Sequence, residues 1–73
     1  MEIRDIINKA YEHYACLQKE DYFFEYEENK YIAIKWNVYM DRYVSMTRVK
    51  QIAKFLRKNG ITLPIYDSFM NTY

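Results

Sequence analysis

Hydrophobic and polar residues alternate through residues 21–39, whose sequence is DYFFEYEENKYIAIKWNVY. A period of two is typical of a β-strand with one buried face. The apolar positions of one face are Tyr22, Phe24 and Tyr26 in the first arm, and Ile32, Ile34, Trp36 and Val38 in the second. A slip of one residue would turn one of these sets to solvent, so the two sets are expected to share a face. The segment therefore predicts an antiparallel β-hairpin.

The shared face also sets the register of the predicted hairpin. It pairs Tyr22 with Trp36, Phe24 with Ile34, and Tyr26 with Ile32. The other face then pairs Phe23 with Lys35, Glu25 with Ala33, and Glu27 with Tyr31, a mixed set that water can wet. Between the arms this register leaves the three-residue loop Glu28-Asn29-Lys30, in which either Asn29 or Lys30 is expected at positive φ.

A helical pattern precedes the hairpin, over residues 1–19. Its apolar residues recur every three or four positions: Ile3, Ile6, Ile7, Ala10, Tyr11, Tyr14 and Leu17. This spacing puts them on one helical face, and the acidic residues Glu2 and Asp5 suit the positive end of the helix dipole. We expect this helix to face the core.

A second helix is predicted over residues 47–59. Its apolar stripe is Val49, Ile52, Ala53 and Leu56. Ser45 or Thr47 could cap its first turn, and Gly60 after Asn59 is a good stop because glycine adopts the left-handed C′ conformation without strain. Before this helix, residues 40–42 resemble a turn into a short third strand over residues 43–46.

The tail from residue 61 to residue 73 carries a weaker pattern. Ile61, Leu63 and Ile65 alternate as in a strand, but Pro64 cannot donate to a ladder, which favours an edge strand or an extended cover. Asp67 and Ser68 could open a final helical turn that carries Phe69 and Met70.

Together these elements predict one α+β domain spanning residues 1–73. The expected order is a helix, an antiparallel β-hairpin or three-stranded meander, and a helix, with both helices on one face of the sheet. A chain of 73 residues buries only about 60% of its unfolded surface, so its stability is expected to be small.

Charge and composition limit the cellular compartment and the kinds of partner expected for this chain. The net charge is +1, but residues 1–30 have eight acidic and four basic residues, whereas residues 31–60 have seven basic residues and one acidic residue. A single cysteine excludes an internal disulfide, and the first residues lack the basic head and apolar core of a signal peptide. No apolar run approaches the roughly 20 residues of a membrane span. We therefore expect a cytoplasmic protein without a membrane partner.

The sequence gives little indication of a catalytic site or a metal site. His13 and Cys16 are three residues apart on the first predicted helix, but no third group is visible to orient them. A structural zinc site needs four ligands, and these two residues are the only histidine and cysteine. Glu25 and Glu27 lie on a wetted face without a pocket, and one glycine cannot form a phosphate-binding loop. We expect neither an enzyme nor a cofactor.

The leading hypothesis is a regulator or inhibitor that docks on a larger protein or protein complex and blocks it. One version places the acidic hairpin tip, Glu25, Glu27 and Glu28, in a basic groove meant for nucleic acid. The other inserts a corner formed by Tyr39, Arg42 and Tyr43 into a pocket, because tyrosine and arginine carry much of the binding energy at interfaces. Tyr31 is a further candidate contact.

The chain is small, lacks motifs and is rich in amino acids whose codons are rich in A and T. In this general character it is comparable to phage-encoded inhibitors of host defence, such as anti-CRISPR proteins. An alternative is a nucleic-acid-binding accessory protein that uses the basic flank of the second helix: Lys50, Lys54, Arg57 and Lys58. A homodimer that buries exposed tyrosines is a third hypothesis.

Overall fold

The computed structural model describes residues 2–14 and 21–73. In chain order they form α1 (Ile3–His13), β1 (Tyr22–Glu27), β2 (Tyr31–Trp36), α2 (Arg42–Lys58) and β3 (Ile65–Asp67). The strands form one sheet in the order β1-β2-β3, in which β1 is antiparallel and β3 parallel to β2. The α+β class is as predicted, but the sheet is mixed because its third strand comes from the tail.

The hairpin of β1 and β2 has the predicted register, with Tyr22 opposite Trp36, Phe24 opposite Ile34, and Tyr26 opposite Ile32. Asn29 is the loop residue at positive φ, with a value of 62°. The prediction for Val38 was wrong: β2 ends at Trp36, and Val38 lies fully exposed in the following turn. On the face expected to be wetted, Ala33 is buried, since it lies in the central strand between Glu25 and Tyr66.

The predicted third strand over residues 43–46 is wrong, because α2 already begins at Arg42. Its N-cap is Asp41, whose carboxylate accepts a hydrogen bond of 2.9 Å from the backbone N–H of Val44. Neither Ser45 nor Thr47 is the cap. Ser45 is instead buried on the core side of α2, where its hydroxyl lies 3.2 Å from that of Tyr22. A polar residue that the sequence suggested as a cap is thus a core hydrogen-bonding partner.

Replacing Asp41 with alanine is expected to lower the free energy of unfolding by about 1 kcal/mol, because the first turn of α2 loses its side-chain cap. Urea denaturation monitored by circular dichroism measures the change. The matched control is Asp41→Asn, which keeps a capping oxygen and should remain close to the parent protein. Equal stability of the alanine and asparagine variants would contradict the assigned cap.

The end of α2 and the tail complete the sheet. Asn59 is the C-cap and Gly60 has φ of +89°, so the predicted stop is confirmed. Parallel strands need a long crossover, and α2 provides it between β2 and β3. The edge strand predicted in the tail is confirmed, but it covers only Ile65–Asp67. The predicted final helical turn is wrong: the Met70 N–H donates to the Asp67 carbonyl at 3.1 Å, which closes a single turn, and the chain then runs back along β3, where Thr72 forms an antiparallel bridge with Tyr66 and the Tyr73 N–H donates to the Ile65 carbonyl at 3.0 Å.

The hydrophobic core combines residues of both helices with the predicted inner face of the hairpin. Its buried members are Ile6, Ala10, Tyr22, Ile32, Ile34, Trp36, Val49, Ile52, Ala53, Leu56, Ile61 and Ile65. The stripe predicted for α2 is therefore confirmed. The first helix is shorter than predicted, since it ends at His13 and Tyr14 has an extended backbone; Cys16 and Leu17 lie outside the described residues. No helix in the described part of the chain is long and apolar enough to cross a membrane.

A side chain of α1 contacts the start of the outer edge of β1. The Tyr11 hydroxyl donates to the Tyr22 carbonyl at 3.1 Å, and the Tyr11 ring packs edge-on against Phe24 with centroids 5.1 Å apart. Burial raises the pKa of Tyr11, while a hydrogen bond from the backbone of Phe24 acts in the opposite direction. The Tyr11 hydroxyl therefore occupies one hydrogen-bonding position at the outer edge of β1, where a free edge strand could pair with another chain.

Candidate functional site

The connection from β2 to α2 carries a group of exposed apolar and aromatic side chains. We define the aromatic corner as Val38, Tyr39, Arg42, Tyr43 and Phe69. Tyr39 is 70% exposed, Tyr43 79% and Phe69 50%. A small domain rarely exposes several neighbouring large apolar residues without a use for them. The corner is therefore a candidate contact surface.

The backbone and one hydroxyl of the aromatic corner are held in place by hydrogen bonds. The Met40 N–H donates to the Asn37 carbonyl at 3.0 Å, which closes the turn after β2. Asp41 then caps α2, so that Arg42 and Tyr43 lie in the first helical turn. The Tyr39 hydroxyl donates to the Asp21 carboxylate just before β1. The exposed rings consequently project from a fixed frame.

Phe69 joins the aromatic corner through tertiary contacts. Its ring centroid lies 5.6 Å from that of Trp36, and the Arg42 guanidinium carbon lies 4.3 Å from the same phenylalanine ring. The backbone N–H of Trp36 also donates to the Ser68 hydroxyl at 3.0 Å, which anchors the tail turn to the end of β2. Sequence analysis assigned Phe69 to a helical turn and missed this role, since no local pattern links it to Arg42.

The acidic hairpin tip does not join the aromatic corner. The two lie at opposite ends of strands six residues long, which separates them by about 17 Å. Glu27 pairs with Lys30 at 3.0 Å and Glu25 with Lys35 at 3.1 Å. These surface ion pairs add little stability, but they offset the negative charge expected to attract a basic partner.

Two further side chains near the hairpin tip have intramolecular neighbours. Tyr31 is half-buried and packs edge-on against Tyr66, with ring centroids 6.1 Å apart. Glu28 lines a cavity of about 320 Å³ that also includes Arg4, whose guanidinium lies over the Tyr26 ring at 5.4 Å. The tip is therefore a mixed surface of both charges rather than a purely acidic one.

The basic flank of α2 lines a recess. Lys50, Lys54 and Lys58 are exposed and border a cavity of about 640 Å³ together with Ala53, Arg57, Thr72 and Tyr73. The alternative hypothesis placed Arg57 in this contact set, but its guanidinium is already occupied. It donates to the carbonyls of Ile61 at 2.9 Å, Leu63 at 2.7 Å and Tyr73 at 2.7 Å. Arg57 thus ties the tail to α2.

A buried carboxylate organises the tail. Asp67 is only 1% exposed, and its oxygens accept hydrogen bonds from the backbone N–H groups of Phe69 and Asn71, the Asn71 amide and the Tyr73 hydroxyl. Burial alone raises the pKa of Asp67, but these hydrogen bonds outweigh it and hold the pKa below the ordinary value. Burial and the same carboxylate raise the pKa of Tyr73. All four donors are internal, so this cluster supports the fold.

The residues considered for catalysis are not assembled into a reactive group in the described part of the chain. The His13 ring stacks on Phe55, with centroids 4.8 Å apart and an interplanar angle of 22°, and Cys16 lies outside the described residues. Among residues 2–14 and 21–73, no three His, Cys, Asp or Glu side chains are grouped in a way that could hold a metal ion.

The aromatic corner, the hairpin tip and the recess beside α2 are the candidate contact surfaces of the described residues. Of the three, the corner combines the most exposed aromatic surface with a fixed frame, and the recess combines three lysines with a defined cavity. The chain matches no protein-family model, and no curated protein or solved structure is significantly similar to it.

Proposed function

We propose that this protein is a non-enzymatic regulator or inhibitor that docks on a larger protein through its aromatic corner and blocks that protein. The observation that carries the proposal is the exposure of Tyr39, Tyr43 and Phe69 around Arg42 on a hydrogen-bonded frame. Tyrosine and arginine dominate the binding energy of many interfaces. A rigid frame also lowers the entropy lost when these side chains are ordered on binding.

The chemistry of the corner defines the surface that it would contact. Val38, Tyr43 and Phe69 supply apolar area, so the partner should offer an apolar pocket. Arg42 is the cation of the corner, while the nearby carboxylates of Asp21 and Asp41 already accept hydrogen bonds from Tyr39 and Val44. A carboxylate at the rim of the partner's pocket would therefore complement Arg42. The hairpin tip is the weaker candidate because two of its three glutamates have lysine partners.

The composition supports a biological setting for this docking. The chain is small, has one cysteine and is rich in amino acids whose codons are rich in A and T. These properties suit a phage-encoded inhibitor of a host defence system that acts in the bacterial cytoplasm. The blocked protein would then be a large defence enzyme, including one that processes nucleic acid.

Affinity capture from a nuclease-treated bacterial lysate tests the proposal. The parent protein is compared with a corner variant, Arg42→Ala with Tyr43→Ala, and with a tip variant that converts Glu25, Glu27 and Glu28 to glutamine. A protein captured at high salt by the parent and by the tip variant should be lost with the corner variant. With the purified partner, Tyr43→Ala alone should weaken binding by about 30-fold, which corresponds to a hot spot of about 2 kcal/mol.

Two results would argue against the proposal. If the corner variant captured the same protein, the aromatic corner would not be part of the interface. If only the tip variant failed to capture it, the hairpin tip would be the contact surface instead. Sedimentation of the parent at high micromolar concentration provides the remaining control. A dimer that dissociates in the corner variant would show that a second copy of the chain occupies the corner instead of a larger protein.

A further inference from the structure

A second surface, independent of the aromatic corner, has the features of an anion site. We define the lysine groove as the cavity of about 640 Å³ between α2 and the last two residues of the tail. It is lined by Lys50, Ala53, Lys54, Arg57, Lys58, Thr72 and Tyr73. One wall is cationic, the other is the tail, and the buried Ala53 lies between them. Its volume lies in the range of ligand-binding cavities.

The cationic wall is regular. Lys50, Lys54 and Lys58 are four residues apart, so successive ammonium groups step along the helix by about 6 Å and the row spans about 12 Å. Among the described residues, Lys30 and Lys35 are the lysines that form ion pairs. The three lysines of the groove form none within this part of the chain. Their charge is therefore available to a ligand.

The tail wall is held in place by contacts on both of its sides. Arg57 donates to the Tyr73 carbonyl at 2.7 Å, and the Tyr73 hydroxyl donates to Asp67 at 2.6 Å. Thr72 pairs with Tyr66 of β3. Tyr73 thus lines the groove in a fixed position, and the groove exists without rearrangement of the chain.

We propose that the lysine groove binds single-stranded nucleic acid, with its lysines contacting successive phosphates and a base packed against Tyr73. Evenly spaced point charges suit a repeating phosphate backbone, and an aromatic ring beside them offers the stacking surface typical of single-strand sites. A duplex could not place a base in this recess. An acidic peptide is the less favoured ligand, because arginine forks match carboxylates best and the one arginine of the groove is occupied.

Fluorescence anisotropy with a fluorescein-labelled oligothymidylate tests the phosphate contacts. Three contacts predict a slope of log affinity against log salt of about −2, or about 20-fold weaker binding at 200 mM than at 50 mM NaCl. The groove variant changes Lys50, Lys54 and Lys58 to glutamine and should lose the binding and its salt dependence. The matched control makes the same change at Lys9, Lys30 and Lys35, which removes equal charge elsewhere and should retain the binding.

Two further probes test the class of ligand. An abasic oligomer of the same length keeps the phosphates and should bind several-fold more weakly with the same salt slope. An oligoglutamate peptide of equal charge should compete poorly. The proposal is overturned if the parent does not bind at 50 mM NaCl, if the control variant weakens binding as much as the groove variant, or if the abasic oligomer binds as tightly as oligothymidylate. Equal competition by oligoglutamate would overturn it in favour of an acidic protein segment.

Discussion

Replacing Asp67 with alanine is expected to lower the free energy of unfolding by about 3 kcal/mol. The change leaves four donors without their acceptor, including two backbone N–H groups, in a site where the side chain is 1% exposed. An unsatisfied buried donor costs about 1–3 kcal/mol, and part of this cost is recovered where water reaches the tail. A domain of this size has only about 4–11 kcal/mol of stability in total, so the loss should be evident in urea denaturation.

Asp67→Asn is the matched control for shape. An amide keeps one acceptor oxygen for the backbone N–H groups but loses the negative charge, so its cost should be smaller than that of alanine. If both variants were as stable as the parent protein, the carboxylate would not organise the tail as we infer.

The difference in stability between the parent protein and the Asp67→Asn variant is expected to depend on pH. The folded pKa of Asp67 is lower than the unfolded value of about 3.9, so its contribution to stability is fully present above that value. It is lost as the pH falls through the folded pKa. The difference in stability between the parent and Asp67→Asn should therefore be constant near neutral pH and shrink below about pH 4. A difference that stays constant down to pH 2 would contradict the assignment.

Replacing Arg57 with methionine is the second change with a large expected effect, a loss of about 2 kcal/mol. Methionine keeps much of the apolar stem but removes the donors to Ile61, Leu63 and Tyr73. Hydrogen bonds from charged donors contribute about 1.5–3 kcal/mol each when buried, and these are partly exposed, so their sum is lower. Thermal and urea denaturation measure the change.

Lys58→Met is the matched control, since it removes the same charge from the adjacent residue of α2. No ion pair of Lys58 occurs among the described residues, and its replacement should change stability by less than about 0.5 kcal/mol. Arg57→Lys should recover little, because one ammonium group cannot reproduce the guanidinium fork. Equal effects of the Arg57 and Lys58 changes would mean that charge, rather than attachment of the tail, determines the result.

The aromatic corner and the lysine groove can be tested separately because α2 keeps them apart. The corner includes the first turn of this helix, whereas Lys54 and Lys58 belong to its last two turns. A helix of 17 residues is about 25 Å long, so changes at Arg42 and Tyr43 should leave the lysines of the groove in place. A protein that docks on a nucleic-acid-processing partner could use both surfaces at once.

The sequence by itself determined the elements that follow from short-range periodicity. Alternation specified the pairing of Phe24 with Ile34 because a slip by one residue exposes a whole face. Helical spacing specified the buried stripe of α2, including Val49 and Leu56, and Gly60 marked its end. Each of these features depends on residues within one helix or one hairpin, and the buried face of a strand or helix is visible in the order of its residues. The α+β class followed from the same patterns.

Tertiary structure decided what depends on residues far apart in the chain. Parallel pairing of Ile65 with Ile32 requires the whole α2 crossover, so the local alternation in the tail could not show which strand the tail pairs with or in which direction. Arg57 could have faced solvent with Lys58, but three tail carbonyls lie within hydrogen-bonding distance of it. The contact of Phe69 with Arg42 arises in the same way. The physical reason is that main-chain acceptors and ring faces can be matched to a side chain only after distant segments have packed together.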